Sequence, residues 1–294
     1  MRPQNLKTRI FLDGGNPDET RDIIRLLGFL DGQTTNPTLI SKHPEARKRL
    51  SRGDGFSAEE IYDFYRGVVK TVSAIIPQGS VSIEVYSDDT TPAEAMLRQG
   101  KEMYSWIPNA HIKFPTSKEG LRAAELAVKE GLRVNLTLCF SQEQAAAVYA
   151  ATMGAKKGDV FVSPFIGRLD DLGEKGMDVI ANILCMYAGG DRHVEVLTAS
   201  VRSMDHFLRA LQLGTDIITV PYDVLKTWGE RGMPLPGETY RYEAMSLRPI
   251  PYKVIGLEKS WEAYDIRHDL TNKGMEHFSA DWNALIQPDK RKIA

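Results

Sequence analysis

Short apolar, β-branched runs recur along the chain and alternate with longer stretches whose apolar residues fall at helical spacing. The runs are Arg9–Asp13, Gly32–Asn36, Val81–Ser87, His111–Pro115, Arg133–Cys139, Asp159–Phe165, His193–Ser200 and Asp216–Pro221. Between them, Ile61, Phe64, Tyr65 and Val68 mark one helical face, Leu121, Ala124 and Val128 a second, and Ala145, Val148 and Tyr149 a third. Apolar runs bounded by turns and alternating with helical patterns predict right-handed βαβ units around a parallel sheet. Eight such runs are the number that closes a barrel. An open doubly wound sheet is the alternative, but no glycine-rich phosphate loop follows the first run. The expected fold class is therefore α/β, a single (β/α)8 TIM barrel. Residues 1–236 are expected to form the barrel, and 237–294 a C-terminal helical extension packed on it within the same domain.

Two pieces fall outside the regular units. Lys42–Glu59 is a charged insertion with a Gly-Asp-Gly turn, and the tail after Pro236 carries Pro249, Pro251 and two expected polar helical stretches. In the second stretch Phe278, Trp282 and Leu285 recur at helical spacing, which predicts packing against the barrel or a partner subunit.

Composition narrows the function. Lys plus Arg (37) nearly balances Asp plus Glu (39), so a net charge of −2 offers no long-range attraction to nucleic acid or an acidic membrane. No run approaches the roughly 20 apolar residues of a membrane span, and the opening MRPQNLKTRIFLDGG lacks a signal-peptide core. A cytoplasmic protein is expected. Cys139 and Cys185 lie in apolar contexts without metal-like spacing, which predicts buried free thiols.

In a β/α barrel the active site lies at the carboxyl ends of the strands. The polar residues late in the predicted strands are Asp13, Thr34 and Asn36, Glu84, Lys113, Asn135 and Thr137, Ser163 and Ser200, with Arg168 and Arg202 just beyond the sixth and seventh. Charged residues inside apolar strands are costly unless paired. Lys113 reads either as half of a structural ion pair with Glu84 or Asp13, or as an amine that burial makes available to attack a carbonyl. Asp13 also fits a helix cap, Asn36 a turn or cap before Pro37, and Arg168 and Arg202 either solvated surface residues or an anion clamp. His111 reads as a core or supporting histidine and Met153, Met177 and Met186 as helix packing. No metal-ligand spacing is present, which disfavours a zinc aldolase. Taken together, polar groups from seven strands aimed at one barrel end predict an active site.

The segments GQTTNPTLI, VSIEVYS, HIKFPTSKEG, VNLTLCFS, VSPFIGRLDD and TASVR occur in this order, and over roughly Ile10–Pro221 the chain resembles the transaldolases. The resemblance implies an enzyme that moves a dihydroxyacetone unit from fructose 6-phosphate or sedoheptulose 7-phosphate to an aldose phosphate, with no cofactor and no metal. By that resemblance Lys113 forms the imine, Asp13 is the general base, and Glu84 and Thr137 position a proton-shuttling water. Thr34, Asn36, Asn135, Ser163 and Phe165 would line the sugar site, and Arg168, Ser200 and Arg202 the phosphate site. The chain departs from the family pattern in Gly14-Gly15 after the aspartate and in the Lys42–Glu59 insertion. A related branch that only cleaves fructose 6-phosphate typically carries Gln and Tyr where this chain has Glu84 and Phe165, which favours transfer. The same chemistry on a sulfonated or unphosphorylated ketose, and a non-catalytic sugar phosphate binder, are the rival expectations. The family assembles as homo-oligomers, and the long tail favours a dimer.

Overall fold

The computed structural model describes residues 2–244 and 246–287. β1 (Arg9–Asp13) is followed by α1 (Pro17–Leu27), and β2 (Gly32–Thr34) by α2 (Pro37–Ser41), α3 (Pro44–Ser51) and α4 (Ala58–Ile75). β3 (Ser80–Glu84) leads to α5 (Ala93–Tyr104), β4 (Ala110–Pro115) to α6 (Lys118–Lys129), and β5 (Val134–Cys139) to α7 (Gln142–Ala151). β6 (Val160–Pro164) is followed by α8 (Ile166–Asp170) and α9 (Gly176–Tyr187), β7 (Val194–Thr198) by α10 (Met204–Leu213), and β8 (Ile217–Pro221) by α11 (Tyr222–Glu230). A last helix, α12 (Asp269–Ala284), follows an irregular strap. The strands pair in chain order, all parallel, and β1 closes on β8, so the expected TIM barrel is the fold.

Local chemistry explains where elements start. The Ser57 hydroxyl and the Glu60 carboxylate form a reciprocal capping box that opens α4, and Ser117, Ser141 and Ser203 cap α6, α7 and α10. Three strands end two or more residues earlier than their apolar runs. β2 stops at Thr34 because Asn36 turns to cap α2, its Oδ1 accepting from the Leu39 N–H at 2.9 Å, with Pro37 in the first helical position. β7 stops at Thr198, two residues before Ser200 takes the left-handed region at φ 58°. β3 ends at Glu84, whose amide leaves the strand ladder for Tyr65 Oη.

The barrel interior is filled from its amino end. Arg9 pairs with Glu195 at 2.6 Å, His111 stacks on Phe161 with centroids 4.1 Å apart, and Phe11 meets the same ring edge-on. His111 is held by Ser80 Oγ and the Gly158 carbonyl, and burial pushes its pKa down to about 3, so it is a neutral core histidine. The layer above these residues, at the carboxyl end, is polar.

The tail corrects one expectation. Among the described residues it holds one α-helix, α12, and a single 3-10 turn at Trp261–Ala263; residues 288–294 lie outside the described residues. The first expected helical stretch runs as an extended strap, consistent with Pro249 and Pro251, which cannot donate to a helix. The second packs on the barrel, one of the two seats its spacing left open. Trp282 meets Tyr62 and Tyr65, Leu285 is fully buried, and Phe56 of the insertion brackets it through Phe56 N–H to the Leu285 carbonyl (2.8 Å) and Gln287 N–H to the Phe56 carbonyl (3.1 Å). The expectation of two buried thiols holds for Cys139 alone. Cys185 is exposed, because it lies on the outer face of α9, whose Ile180, Ile183 and Met186 turn inward.

Candidate active site

A cavity of about 250 Å³ opens at the carboxyl end of the strands. Lys113 lies on β4 at its floor. Its Nζ donates to Glu84 Oε2 at 2.6 Å and to the Thr35 carbonyl at 3.0 Å, with both side chains almost wholly buried. The ion pair expected as the structural alternative is therefore present, but it sits where Lys113 also faces the cavity. Asp13, Thr34, Asn36, Thr137, Ser163, Phe165, Arg168, Ser200 and Arg202 line the same space. Glu84 and Asn135 do not line it but are hydrogen-bonded to residues that do. Glu84 holds Lys113, while Asn135 accepts from Ser163 Oγ at 2.6 Å and donates to Ser82 Oγ at 3.1 Å.

The two carboxyl groups have distinct surroundings. Asp13 accepts from Thr34 Oγ1 at 2.7 Å, and Thr34 in turn meets Thr219 Oγ1 at 2.5 Å. Asp13 does not cap α1; Asn16 does. Burial raises the Asp13 pKa above the ordinary aspartate range, while the Thr34 hydrogen bond and the charges of Lys113 and Lys42 oppose the rise. Glu84 is raised too, by burial first, against the attraction of Lys113 and Arg168. Thr137 Oγ1 is buried at the cavity wall with no hydrogen-bond partner among the described residues. A buried hydroxyl left unpaired is costly, so this one is suited to a polar group that enters the cavity.

The arginines form the far wall. Arg168 is half-buried between Phe165 and Phe278, with its guanidinium carbon 5.5 and 5.3 Å from their ring centroids. Arg202 is exposed and forms a forked pair with Asp171, one arm at 2.7 Å. Their closeness depends on Gly167, where a Cβ would lie 2.5 Å from both Arg202 Nε and the Ser200 carbonyl. Gly15 serves a similar purpose, since a Cβ there would stand 2.7 Å from the Leu39 carbonyl. The Gly14-Gly15 departure thus lets the loop after β1 lie against α2. Among the described residues no cluster of His, Cys, Asp and Glu is placed to hold a metal ion, and no helix is long and apolar enough to cross a membrane.

The cavity has further lining that the sequence reading missed. Thr219 faces it from β8, and the late-strand test applied to ITVP would have found it. Lys42 comes from the insertion, while His277 and Phe278 come from α12. Nothing local marks these three, because only tertiary packing brings them to the mouth.

The chain is similar to known proteins over most of its length. The profile of the family described as transaldolase/fructose-6-phosphate aldolase matches residues 10–288. A probable transaldolase of Dehalococcoides mccartyi is 36% identical over 277 residues, covering 94% of this chain and 99% of the relative. A probable transaldolase of Methanococcus maripaludis strain C7 is 33% identical over 276 residues, covering 94% and 98%. One from Thermoanaerobacter sp. strain X514 is 34% identical over 274 residues, covering 93% and 96%.

Proposed function

The chain belongs to the transaldolase/fructose-6-phosphate aldolase family, and from that premise we propose that it transfers a dihydroxyacetone unit from a ketose phosphate to an aldose phosphate through an imine on Lys113. The observation that carries this reading is Lys113 Nζ at the floor of the cavity, hydrogen-bonded to Glu84 and the Thr35 carbonyl, with Asp13 and two arginines in the walls.

The amine of Lys113 adds to the C2 carbonyl of fructose 6-phosphate or sedoheptulose 7-phosphate, and loss of water leaves a protonated imine. Asp13 takes the proton of the C4 hydroxyl. The C3–C4 bond breaks, its electron pair passes into the imine, and the shortened aldose phosphate departs as an aldehyde. An acceptor aldose phosphate then reverses these steps, with Asp13 returning the proton. Glu84 stays beside the cationic nitrogen, and the unpaired Thr137 hydroxyl holds the water that carries protons during imine formation. Asn36 and Ser163 hold the hydroxyls of the bound unit, Asn135 orienting the Ser163 hydroxyl from behind, with Thr34 and Phe165 shaping the site. Arg168, Ser200 and Arg202 take the phosphate, where a planar guanidinium can offer two donors at once. No cofactor enters, because the lysine itself supplies the electron sink.

Simple cleavage of fructose 6-phosphate is the second reading, since the family name covers both activities. Glu84 and Phe165 favour transfer, as the cleaving branch typically has Gln and Tyr at these positions. Borohydride trapping with fructose 6-phosphate, followed by peptide mass mapping, tests the imine. A three-carbon adduct on the Lys113 peptide, missing in Lys113→Met, is expected. No adduct with any ketose phosphate on a folded protein would remove the proposal, while turnover at equal rates with and without an acceptor aldehyde would shift it to simple cleavage.

A further inference from the structure

The Glu84 amide departs from the parallel ladder. β2 and β3 pair as far as Thr34 and Ser82, and the Thr35 N–H continues the pattern to the Ser82 carbonyl at 3.0 Å. In a regular parallel ladder the next bond would run from the Glu84 N–H to the Thr35 carbonyl. That N–H donates instead to Tyr65 Oη at 3.0 Å, and the Thr35 carbonyl accepts from Lys113 Nζ at 3.0 Å. The hydroxyl protons can be assigned around this exchange. Thr35 Oγ1 donates its only proton to the Ser82 carbonyl at 2.7 Å. Tyr65 Oη, 2.5 Å from Thr35 Oγ1, is therefore the donor of that bond and the acceptor from Glu84.

We infer that Tyr65 is a positioning residue for Lys113: its hydroxyl takes the Glu84 amide out of the strand ladder and so leaves the Thr35 carbonyl free to hold Nζ. The inference rests on the reading of Lys113 as the imine-forming residue. Tyr65 does not line the cavity and acts only through its neighbours. It comes from α4, is fully buried, and has its ring held by Trp106 and by Trp282 of α12, with centroids 6.0 and 5.9 Å away. A phenol so packed has one orientation, and its two hydrogen bonds place the carboxylate-bearing and carbonyl-bearing strand ends on either side of the amine. Without the hydroxyl, the Glu84 N–H is an unpaired buried donor whose nearest remedy is the Thr35 carbonyl. The strands would then close by one further bond, and Nζ would lose one of its two acceptors.

Two variants test this in the full chain. Tyr65→Phe keeps the ring and removes the hydroxyl; Thr35→Val removes the side-chain acceptor and keeps the backbone carbonyl. With fructose 6-phosphate, kcat and the rate of borohydride-trappable imine formation are expected to fall together by about tenfold or more, with KM changed by no more than about twofold. The double variant is expected to fall no further than the worse single, because both changes break one chain. A crystal structure of Tyr65→Phe should have the Glu84 N–H on the Thr35 carbonyl. A folded Tyr65→Phe that forms imine within about twofold of the wild-type rate, or losses that multiply in the double variant, would overturn the inference. A purely structural tyrosine would lower Tm and leave the imine rate alone. If the wild type itself forms no imine, the proposed function fails instead, and the Glu84–Thr35 contact in the variant crystal still decides the role of Tyr65.

Discussion

Asp13 pays for its position in the folded state, and the cost has a sign that can be measured. Burial disfavours its ionised form, and the Thr34 hydrogen bond with the charges of Lys113 and Lys42 only partly offsets this. The folded chain therefore binds this proton more tightly than the unfolded chain. Stability falls as pH rises from the ordinary carboxylate range through the raised pKa, and the penalty persists at neutral pH. Asp13→Asn keeps an oxygen for Thr34 but carries no charge. It should raise Tm by a few degrees at pH 7 to 8, with the gain shrinking towards pH 4, while dihydroxyacetone transfer is lost. Thermal melts across that pH range decide it; a gain equal at both ends would mean that charge burial is not its source. At this scale the sequence was informative. A charged or hydroxyl residue late in an apolar strand is conspicuous, so Asp13, Lys113 and Glu84 could be singled out from their places in the apolar runs of a barrel. Tyr65 could not, because at helical spacing beside Ile61 and Val68 it reads as ordinary core, and its hydroxyl acquires a role only when α4 meets two strand ends.

At the scale of elements, α12 completes the site without supplying a strand end. β5 prepares its seat. The pairing with β6 shifts register between Leu136 and Cys139, Leu138 takes a left-handed φ of 58°, and its carbonyl accepts from Thr271 Oγ1 at 2.9 Å. Three residues on, Gly274 passes so close that a Cβ would stand 2.6 Å from Leu138 Cδ2 and 2.7 Å from Arg168 Nη1. Gly274→Leu should therefore push Arg168 out of line, raising KM for a phosphorylated ketose about tenfold and costing about 1–3 kcal/mol of stability. Gly67, exposed in the middle of α4 with open space around its Cα, is the control. Gly67→Ala should gain about 1 kcal/mol from helix propensity and leave kinetics unchanged. Steady-state kinetics with denaturant melts on both variants would expose an error, since an unchanged KM in Gly274→Leu contradicts the contact. The amphipathic spacing of Phe278, Trp282 and Leu285 marked a face to be buried against the barrel or a partner subunit. What it packs over was not legible, because the partners of a helix face are chosen by chain segments more than a hundred residues away in sequence, such as Leu138 and Arg168.

For the whole molecule, the question is whether the extension is part of the barrel's cooperative unit. Leu270, Met275, Phe278, Trp282 and Leu285 are all buried. At about 1.5–3 kcal/mol for each such side chain, undocking α12 would cost on the order of 10 kcal/mol, even before Tyr62 and Tyr65 lose their cover. That is comparable with the entire net stability of a typical domain, so a state with α12 released and the barrel intact should lie no lower than the unfolded chain. The strap before it is different, because Tyr252 and Val254 stand exposed at 45% and 95% and its described residues contain no α-helix or strand. We therefore expect residues 269–284 to share one opening free energy with the barrel strands in amide exchange measured across low denaturant, while residues 237–260 exchange early. Alternation of strands and helices revealed the barrel because each βα unit writes its own local pattern. Membership of a tail in the same unit is written in no local pattern and rests on the area it buries. If α12 amides instead open at lower denaturant than β4 and β5, the extension is a separately stable lid. Its release would then uncover Arg168 with Lys113 still seated, and the rate of that release would set an upper limit on sugar exchange.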